Sequence, residues 1–412
     1  MIKVAIMGYG TIGSGVYEVL KTNKQVIAAD VGQDVEVKYI LDLREFPGTE
    51  VEEKIIHDFS VIAEDEEIQI VVETMGGLNP AYSFVKTCLE AGKHVATSNK
   101  ALVAAYGTEL LEIARKKKVN FLFEASVGGG IPIIRPLYTC LMGEKIQEIT
   151  GILNGTTNYI LTKMDKEGAS FNGALKEAQD LGYAERNPEA DVEGHDTCRK
   201  IAILTAMATK KEVNYQDIHT EGITRITDID FKYAGKMGTS IKLFGSSRME
   251  GDQVFAWVAP VMIGTDHPLY AVSDVYNGIL VKGNMLGTSM YYGSGAGKLP
   301  TASAVVADIM EAAKNPDVNI PLGWTGQKLE IAPMEVSSHR YFVRISGRYE
   351  SQKEMVEQCL GACRIVTLEG LNEYAALTEK KSERQFKEEL KKLEERLDSV
   401  YQGVLQTIRA EL

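Results

Sequence analysis

Ile2-Lys3-Val4-Ala5-Ile6-Met7-Gly8-Tyr9-Gly10-Thr11-Ile12-Gly13 is the stretch that decides the fold of this 412-residue chain. Ile2 to Gly8 reads as a central strand covered on both faces. Gly8, Gly10 and Gly13 follow it in GxGxxG spacing, and a helix pattern runs from Thr11 to Lys21. Each glycine has its own reason. One makes the tight turn, one lets the backbone approach a pyrophosphate, and one lets helix and strand pack closely. The pyrophosphate then rests on free N–H groups at the helix N-terminus. A structural glycine turn is the bland alternative. Strand-loop-helix context favours a dinucleotide held by Gly8, Gly10, Thr11, Ile12 and Gly13.

Outward from this loop the pattern alternates. Strands are read at Val35 to Leu41, Ile68 to Val72, His94 to Thr97 and Val119 to Phe123, with helices at Ala81 to Ala91 and Ala101 to Lys118. This is the rhythm of a parallel α/β sheet. Asp42 ends the second strand, where a carboxylate accepts from a ribose 2′-OH and repels a 2′-phosphate. Arg44 stands two residues on, where it can pair with that phosphate. NAD and NADP both stay open. Ser98-Asn99-Lys100 lies just past a parallel strand, at the edge where open α/β sheets bind ligands. Lys100 there is either a surface residue at a helix start or a charge facing the crevice.

After Gly130-Ile131-Pro132 the pattern becomes α+β. Strand-like stretches at Ile146 to Leu153, Gln253 to Met262, Gly278 to Lys282 and Thr288 to Tyr292 mix with helices near Asn158 to Lys166, Gly173 to Leu181 and His195 to Thr209. The helix Ala302 to Lys314 is expected to return to the first domain. From Ser338 the order reads β-α-β-β-α-β, with a long helix from Glu383 to Val400. In it Phe386, Leu390, Leu393, Leu397 and Val400 form one stripe, expected to pack on a small sheet. The expected division is 1–130 with about 302–325 returning, 131–301, and 338–412.

The charge sum is 45 − 57 = −12, and from Ser338 onward Lys+Arg and Asp+Glu balance at 13 each. The acidic excess therefore lies in the first 337 residues, and a composition break of this kind marks a domain boundary. It argues against nucleic acid and anionic membranes as partners. No apolar run of membrane-spanning length occurs. The N-terminus lacks a signal-peptide pattern. Cys88, Cys140, Cys198, Cys359 and Cys363 are scattered without metal spacing, which suits reduced thiols and a cytoplasmic location.

In the helix from His195, the residues Asp196, Lys200, Ile203, Leu204 and Met207 share one side, so two charges continue an apolar stripe. The plain alternative is an exposed i, i+4 ion pair. A lysine held in a desolvated cleft beside a carboxylate can give or take a proton. Upstream, Gly182-Tyr183-Ala184-Glu185 leads to Pro188 and Asp191. These acids either are solvated or converge to bind an ammonium group.

Ser98 to Leu102, Glu124 to Pro132, Gly151 to Asn158, Gly182 to Lys200, and Gly295-Ala296-Gly297 followed by Pro300 to Val305 together resemble bacterial homoserine dehydrogenase, over residues 1 to about 330. The resemblance implies a Rossmann cofactor domain, an α+β substrate and dimerisation domain, and reversible hydride transfer between NAD(P) and the C4 of L-homoserine/L-aspartate 4-semialdehyde, in threonine and methionine biosynthesis. It implies Lys200 as acid/base and Lys100 as a second lysine at the reacting oxygen. Glu185, Asp191 and Asp196 are implied around the small amino-acid substrate, and Ser98, Lys100 and Gly297 beside the cofactor. Oxygens of Glu124, Val127, Gly129 and Ile131 are implied to hold a monovalent cation, Na+ or K+, which suits a hard ion. Family members are homodimers or homotetramers.

The tail resembles an ACT domain, but Gly347-Arg348-Tyr349-Glu350 stands where ACT effector sites often carry Asp-x-Pro-Gly. This points to assembly rather than threonine feedback. Two rivals are a semialdehyde dehydrogenase using Cys198 as nucleophile and a non-catalytic NAD(H)-sensing regulator.

Overall fold

The computed structural model describes residues 1–397 and 403–412 and divides into two compact units. The first comprises residues 1–146, 202–215 and 282–329; the second comprises 147–201, 216–281 and 330–412.

In the first unit β1 (Ile2–Met7), β2 (Val35–Leu41), β3 (Ile55–Ile56), β4 (Ile68–Glu73), β5 (His94–Thr97) and β6 (Phe121–Leu122) form a parallel six-stranded sheet in the order β3-β2-β1-β4-β5-β6. This is the doubly wound dinucleotide-binding order, with its reversal between β1 and β4. Val4, Ala5, Ile6 and Met7 are wholly buried, as a strand covered on both faces requires. The helix Lys298–Lys314 supplies Ala302, Val305, Val306 and Ile309 to the same core. It begins four residues before the expected Ala302.

The later strands are β7 (Ile146–Ile152), β8 (His219–Thr220), β9 (Thr239–Glu250), β10 (Gln253–Gly264), β11 (Tyr276–Gly283), β12 (Gly287–Ser294, in the first unit), β13 (Ser338–Ser346), β14 (Cys363–Thr367), β15 (Glu373–Thr378), β16 (Lys381–Ser382) and β17 (Val404–Glu411). Those of the second unit run in the mixed-sheet order β11-β7-β9-β10-β17-β13-β15-β14. The twelve-residue β9 and the helix Asp228–Met237 have no counterpart in the sequence reading. β9 carries Thr239, Ser240, Lys242, Ser246 and Ser247 buried among apolar residues, which hides its strand pattern.

Residues 338–412 do not stand apart. β17 inserts between β13, antiparallel, and β10, parallel, with Val261 opposite Arg409 and Ile263 opposite Glu411. Arg409 is buried and reaches both Glu221 and Glu383 at 2.8 to 2.9 Å. Arg344 holds Asp230 at 2.5 Å, and Arg248 pairs with Glu411. Phe386, Leu393 and Leu397 of the helix Glu383–Leu397 are buried on the small sheet, where the Phe386 ring stacks on Tyr341 at 3.7 Å. Leu390 packs at the edge of that cluster. Val400 lies outside the described residues.

Candidate active site

The loop after β1 assigns a different task to each glycine. Gly8 has φ +96°, a left-handed conformation that only glycine adopts cheaply. A Cβ on Gly13 would stand 2.9 Å from Thr74 Oγ1 and 3.0 Å from the Gly8 carbonyl carbon, so helix and strand touch there. A Cβ on Gly10 would meet nothing within 4 Å, which leaves space in front of the backbone. Thr11 is exposed and Ile12 half-buried at the helix start. A fourth glycine, Gly15, was not singled out in the sequence. A Cβ there would lie 2.9 Å from the Lys298 carbonyl, so the helices Thr11–Thr22 and Lys298–Lys314 meet backbone to backbone. Gly297, with φ +115°, caps the second of these helices.

Asp42 and Arg44 pair with each other. Arg44 Nε and Nη2 donate to the two carboxylate oxygens at 2.9 Å, and the Tyr9 N–H donates to Asp42 Oδ2 at 2.7 Å. The Arg44 guanidinium holds the Asp42 carboxyl well below the usual carboxylate range. Arg44 itself is largely exposed and covers the Phe46 ring at 5.2 Å.

Lys100 is the first residue of the helix Lys100–Lys117 and is half-buried, as is Ser98. Asn99 caps this helix by accepting from the Leu102 N–H, and its amide donates to the Gly77 carbonyl at 2.6 Å. The turn is fixed from below by Glu73, a fully buried acid at the end of β4. Its carboxylate accepts from Thr97 Oγ1 at 2.6 Å and from the Met75 and Gly76 N–H groups. Burial pushes its carboxyl up. The sequence shows only an acid closing an apolar strand, so Glu73 passed unnoticed.

Glu124 behaves differently from a side-chain metal ligand. Its carboxylate accepts from the N–H groups of Ile133, Ile134 and Arg135 at 2.6 to 2.8 Å, at the start of the helix Ile134–Tyr138. Among the described residues no donor is paired with the carbonyl oxygens of Val127, Gly129 or Ile131, all three residues being buried. Orphaned carbonyls in one loop are the donor set a hard monovalent ion accepts. The loop is pressed against Gly295 and Pro300, because a Cβ on Gly130 would meet Pro300 Cβ at 2.7 Å.

In the second unit, Asn154 stands two residues after β7 and caps the helix Gly155–Glu167. Its Oδ1 accepts from the Thr157 N–H at 2.8 Å. That fixes which end of the amide is NH2. Nδ2 then donates to Asp191 Oδ1 at 2.7 Å and to Asp196 Oδ2 at 2.9 Å. Lys200 Nζ sits 2.7 Å from Asp196 Oδ2 and donates to the Leu153 carbonyl at 2.7 Å. Asp196 and Lys200 are both buried, so the exposed-pair alternative is excluded.

The amphipathic argument reached that result by an incomplete route. Thr197, Cys198, Ile201, Ala202 and Ala206 are buried too, so this stretch of helix is covered on every side rather than along one stripe. What brings it close to the sheet is Gly245 of β9. A Cβ there would lie 2.9 Å from Thr197 Cγ2 and 3.0 Å from Leu153 Cδ1.

Glu185 is exposed in the loop before the helix Glu189–Val192, and its side chain joins none of this cluster. His195 is exposed. Cys198 is buried, and burial pushes its thiol up, away from the thiolate a nucleophile needs. No group of three or more metal-ligating side chains occurs among the described residues. Among the described residues no helix is long and apolar enough to cross a membrane.

Known proteins place this arrangement. The homoserine dehydrogenase NAD-binding-domain profile matches residues 8–124, and the homoserine dehydrogenase profile matches residues 132–310. A homoserine dehydrogenase from Synechocystis sp. is 41% identical over 358 residues, covering 83% of this chain and 82% of its own. One from Bacillus subtilis is 39% identical, covering 79% and 75%. The crystal structure of a homoserine dehydrogenase from Thiobacillus denitrificans superposes with TM-score 0.91 at 35% identity, covering 100% of this chain and 98% of that one. A hyperthermophilic archaeal homoserine dehydrogenase in complex with NADPH matches 76% of this chain at TM-score 0.64 and 26% identity. The glycine loop at the sheet's reversal point, the buried Asp196–Lys200 pair and these matches converge: the chain belongs to the homoserine dehydrogenase family.

Proposed function

We propose that the chain interconverts L-homoserine and L-aspartate 4-semialdehyde, with Lys200 as the proton-transfer group and Lys100 as a second cation for the reacting oxygen. The single observation that carries this reading is the desolvated lysine held at 2.7 Å by Asp196, with a second carboxylate tied to the same asparagine. NAD(P) supplies or accepts the hydride at the substrate C4. Gly10 leaves the backbone free to receive the pyrophosphate, while Gly8 makes the turn and Gly13 lets helix and strand close, and Gly297 opens the adjoining helix.

In the reducing direction hydride reaches the carbonyl carbon, and the oxygen takes a proton from the Lys200 ammonium. In the oxidising direction the hydroxyl proton goes to the neutral Lys200 amine as hydride leaves C4, so turnover rises toward alkaline pH. Asp196 orients Lys200 in both directions, and Asp191 supplies a carboxylate for the substrate ammonium. Glu185 reaches the substrate only through rearrangement of its exposed loop. The carbonyl oxygens of Val127, Gly129 and Ile131, with that of Glu124, would hold Na+ or K+ and stiffen the loop against Gly295 and Pro300.

Asp42 is neutralised by Arg44, so a 2′-phosphate meets a guanidinium with its partner already masked. This favours acceptance of NADPH beside NADH. Residues 338–412 form an ACT-like module whose last strand is built into the substrate sheet, which suits a structural and assembly role in a cytoplasmic homodimer or homotetramer. A Cys198-based semialdehyde dehydrogenase is disfavoured by the buried, protonated thiol.

The test is a spectrophotometric assay with aspartate semialdehyde and NADH or NADPH side by side, on the wild-type chain and Lys200→Ala. Oxidation of either cofactor by wild type, abolished in the variant with cofactor binding retained, is the expected result. Wild-type kcat in Lys200→Ala refutes the assignment.

A further inference from the structure

Asn154 sits at the centre of the Asp191, Asp196 and Lys200 cluster, yet nothing in the reaction chemistry calls for an amide there. Every one of its polar atoms is committed. Oδ1 accepts from the Thr157 N–H at 2.8 Å and from Thr157 Oγ1 at 3.0 Å. The two N–H bonds of Nδ2 go to different carboxylates, Asp191 on the short helix Glu189–Val192 and Asp196 at the start of the helix His195–Thr209. Asn154 is itself buried. Two carboxylates in a desolvated site repel each other unless donors lie between them. Lys200 pairs with Asp196, and the Asn154 amide donates to both acids from one nitrogen.

We infer that Asn154 is a positioning residue, which ties Asp191, the carboxylate for the substrate's ammonium end, to Asp196, which orients Lys200, and so sets the spacing between the ammonium site and the proton-transfer lysine. This rests on the assignment of the Asp196–Lys200 pair to homoserine chemistry. Asparagine is the residue that does both tasks. A carboxylate or hydroxyl at 154 could cap the helix equally well, but neither could donate to both acids from the same place.

That difference separates bridging from capping. Asn154→Asp and Asn154→Ser both keep an acceptor for the Thr157 N–H, so both retain the helix cap, and thermal melts give the temperature at which each variant is folded for assay. Losing hydrogen bonds to charged groups costs a factor of about 10 to 150 each. Asn154→Ser is expected to raise the KM for homoserine by about tenfold or more. Asn154→Asp, which adds a third negative group facing the two acids, is expected to exceed it and to lower kcat as well. The KM for NAD(P) stays within about twofold in both, because the dinucleotide loop lies in the other unit.

Calorimetric titration with homoserine gives a readout that needs no turnover. Weakened homoserine binding in both variants, with cofactor binding retained, supports the bridge. Wild-type binding and turnover in Asn154→Asp overturn it and reduce Asn154 to a helix cap. A wild-type chain that neither binds nor oxidises homoserine overturns the functional reading and this inference with it.

Discussion

Gly10 and Gly13 stand three residues apart in the same loop, and the structure predicts opposite consequences for putting a methyl group on each. At Gly13 the new Cβ would run into the Gly8 carbonyl oxygen and lie 2.9 Å from Thr74 Oγ1, and both residues are held by backbone hydrogen bonds, Gly8 N–H to the Leu41 carbonyl at 2.8 Å and Thr74 N–H to the Met7 carbonyl at 2.9 Å. Backbone cannot step aside as a flexible side chain can. Overpacking of this kind costs about 1–3 kcal/mol, which at ~2 kcal/mol lowers the thermal midpoint of a unit this size by roughly 4–8 °C. At Gly10 the Cβ meets nothing, and φ −79° is open to any residue. The lower entropy of the unfolded chain stabilises Ala there by about 0.4–1 kcal/mol, offset by the poorer cap that Ala makes compared with Gly. The net change is near zero, and the midpoint moves by no more than about 1–2 °C.

Binding tells the other half. A methyl on Gly10 occupies the space the pyrophosphate needs, and a charge-assisted N–H bond lost to that displacement weakens the dinucleotide by about 10- to 150-fold. Gly10→Ala is therefore expected to bind NADPH poorly while melting like wild type, whereas Gly13→Ala loses both. The assays are differential scanning fluorimetry and titration of NADPH fluorescence. A Gly10→Ala variant that binds NADPH normally, or a Gly13→Ala variant as stable as wild type, refutes the division of labour among the glycines.

Other perturbations reach different parts of the molecule. His339 is buried beside Trp257, and burial holds its pKa down to about 3, so it is neutral in the fold. The stability of that neutral form is present above the unfolded value of 6.5 and is lost as pH falls below it. Between pH 6.5 and 5 the loss is about 2 kcal/mol; denaturant titrations at pH 7 and 5 should show a smaller loss of stability in His339→Phe than in wild type by about that amount, since His94 and His267 are also held neutral by burial and titrate in both. Removing Arg44 unmasks the Asp42 carboxylate, so Arg44→Ala should raise the KM for NADPH at least ~10-fold relative to that for NADH; an unchanged ratio would free the pair from any part in cofactor choice. Cys198→Ser should retain kcat within roughly twofold, since a buried protonated thiol is no nucleophile; loss of turnover with normal folding would revive the thiohemiacetal route.

What could be read from the chain alone was whatever rests on short-range pattern. Ile2 to Gly13 specified a buried strand, a glycine turn and a helix start because steric demands on each glycine act over a few residues. The pairing of Asp196 with Lys200 was legible for the same reason, as i and i+4 share a helix face whatever surrounds them. Contacts between distant segments were not legible. Asn154 meets Asp191 and Asp196 across 37 and 42 residues. Glu73 meets Thr97 across 24. No local pattern marks an amide as the bridge between two acids, or a strand-end acid as the support of a turn.

The tail shows the same limit at larger scale. Its alternation of strands and helices is written in the sequence, but the parallel seating of β17 on β10 depends on a hairpin of two twelve-residue strands, of which β9 is concealed by its buried serines and Lys242. From the chain alone come a dinucleotide loop and a lysine with a carboxylate neighbour, since both are set by backbone geometry within one or two turns. That Asn154 joins the two carboxylates, and that the last strand lies in the sheet of the second unit, emerges only from the fold. Both are settled by which remote groups burial forces to satisfy one another.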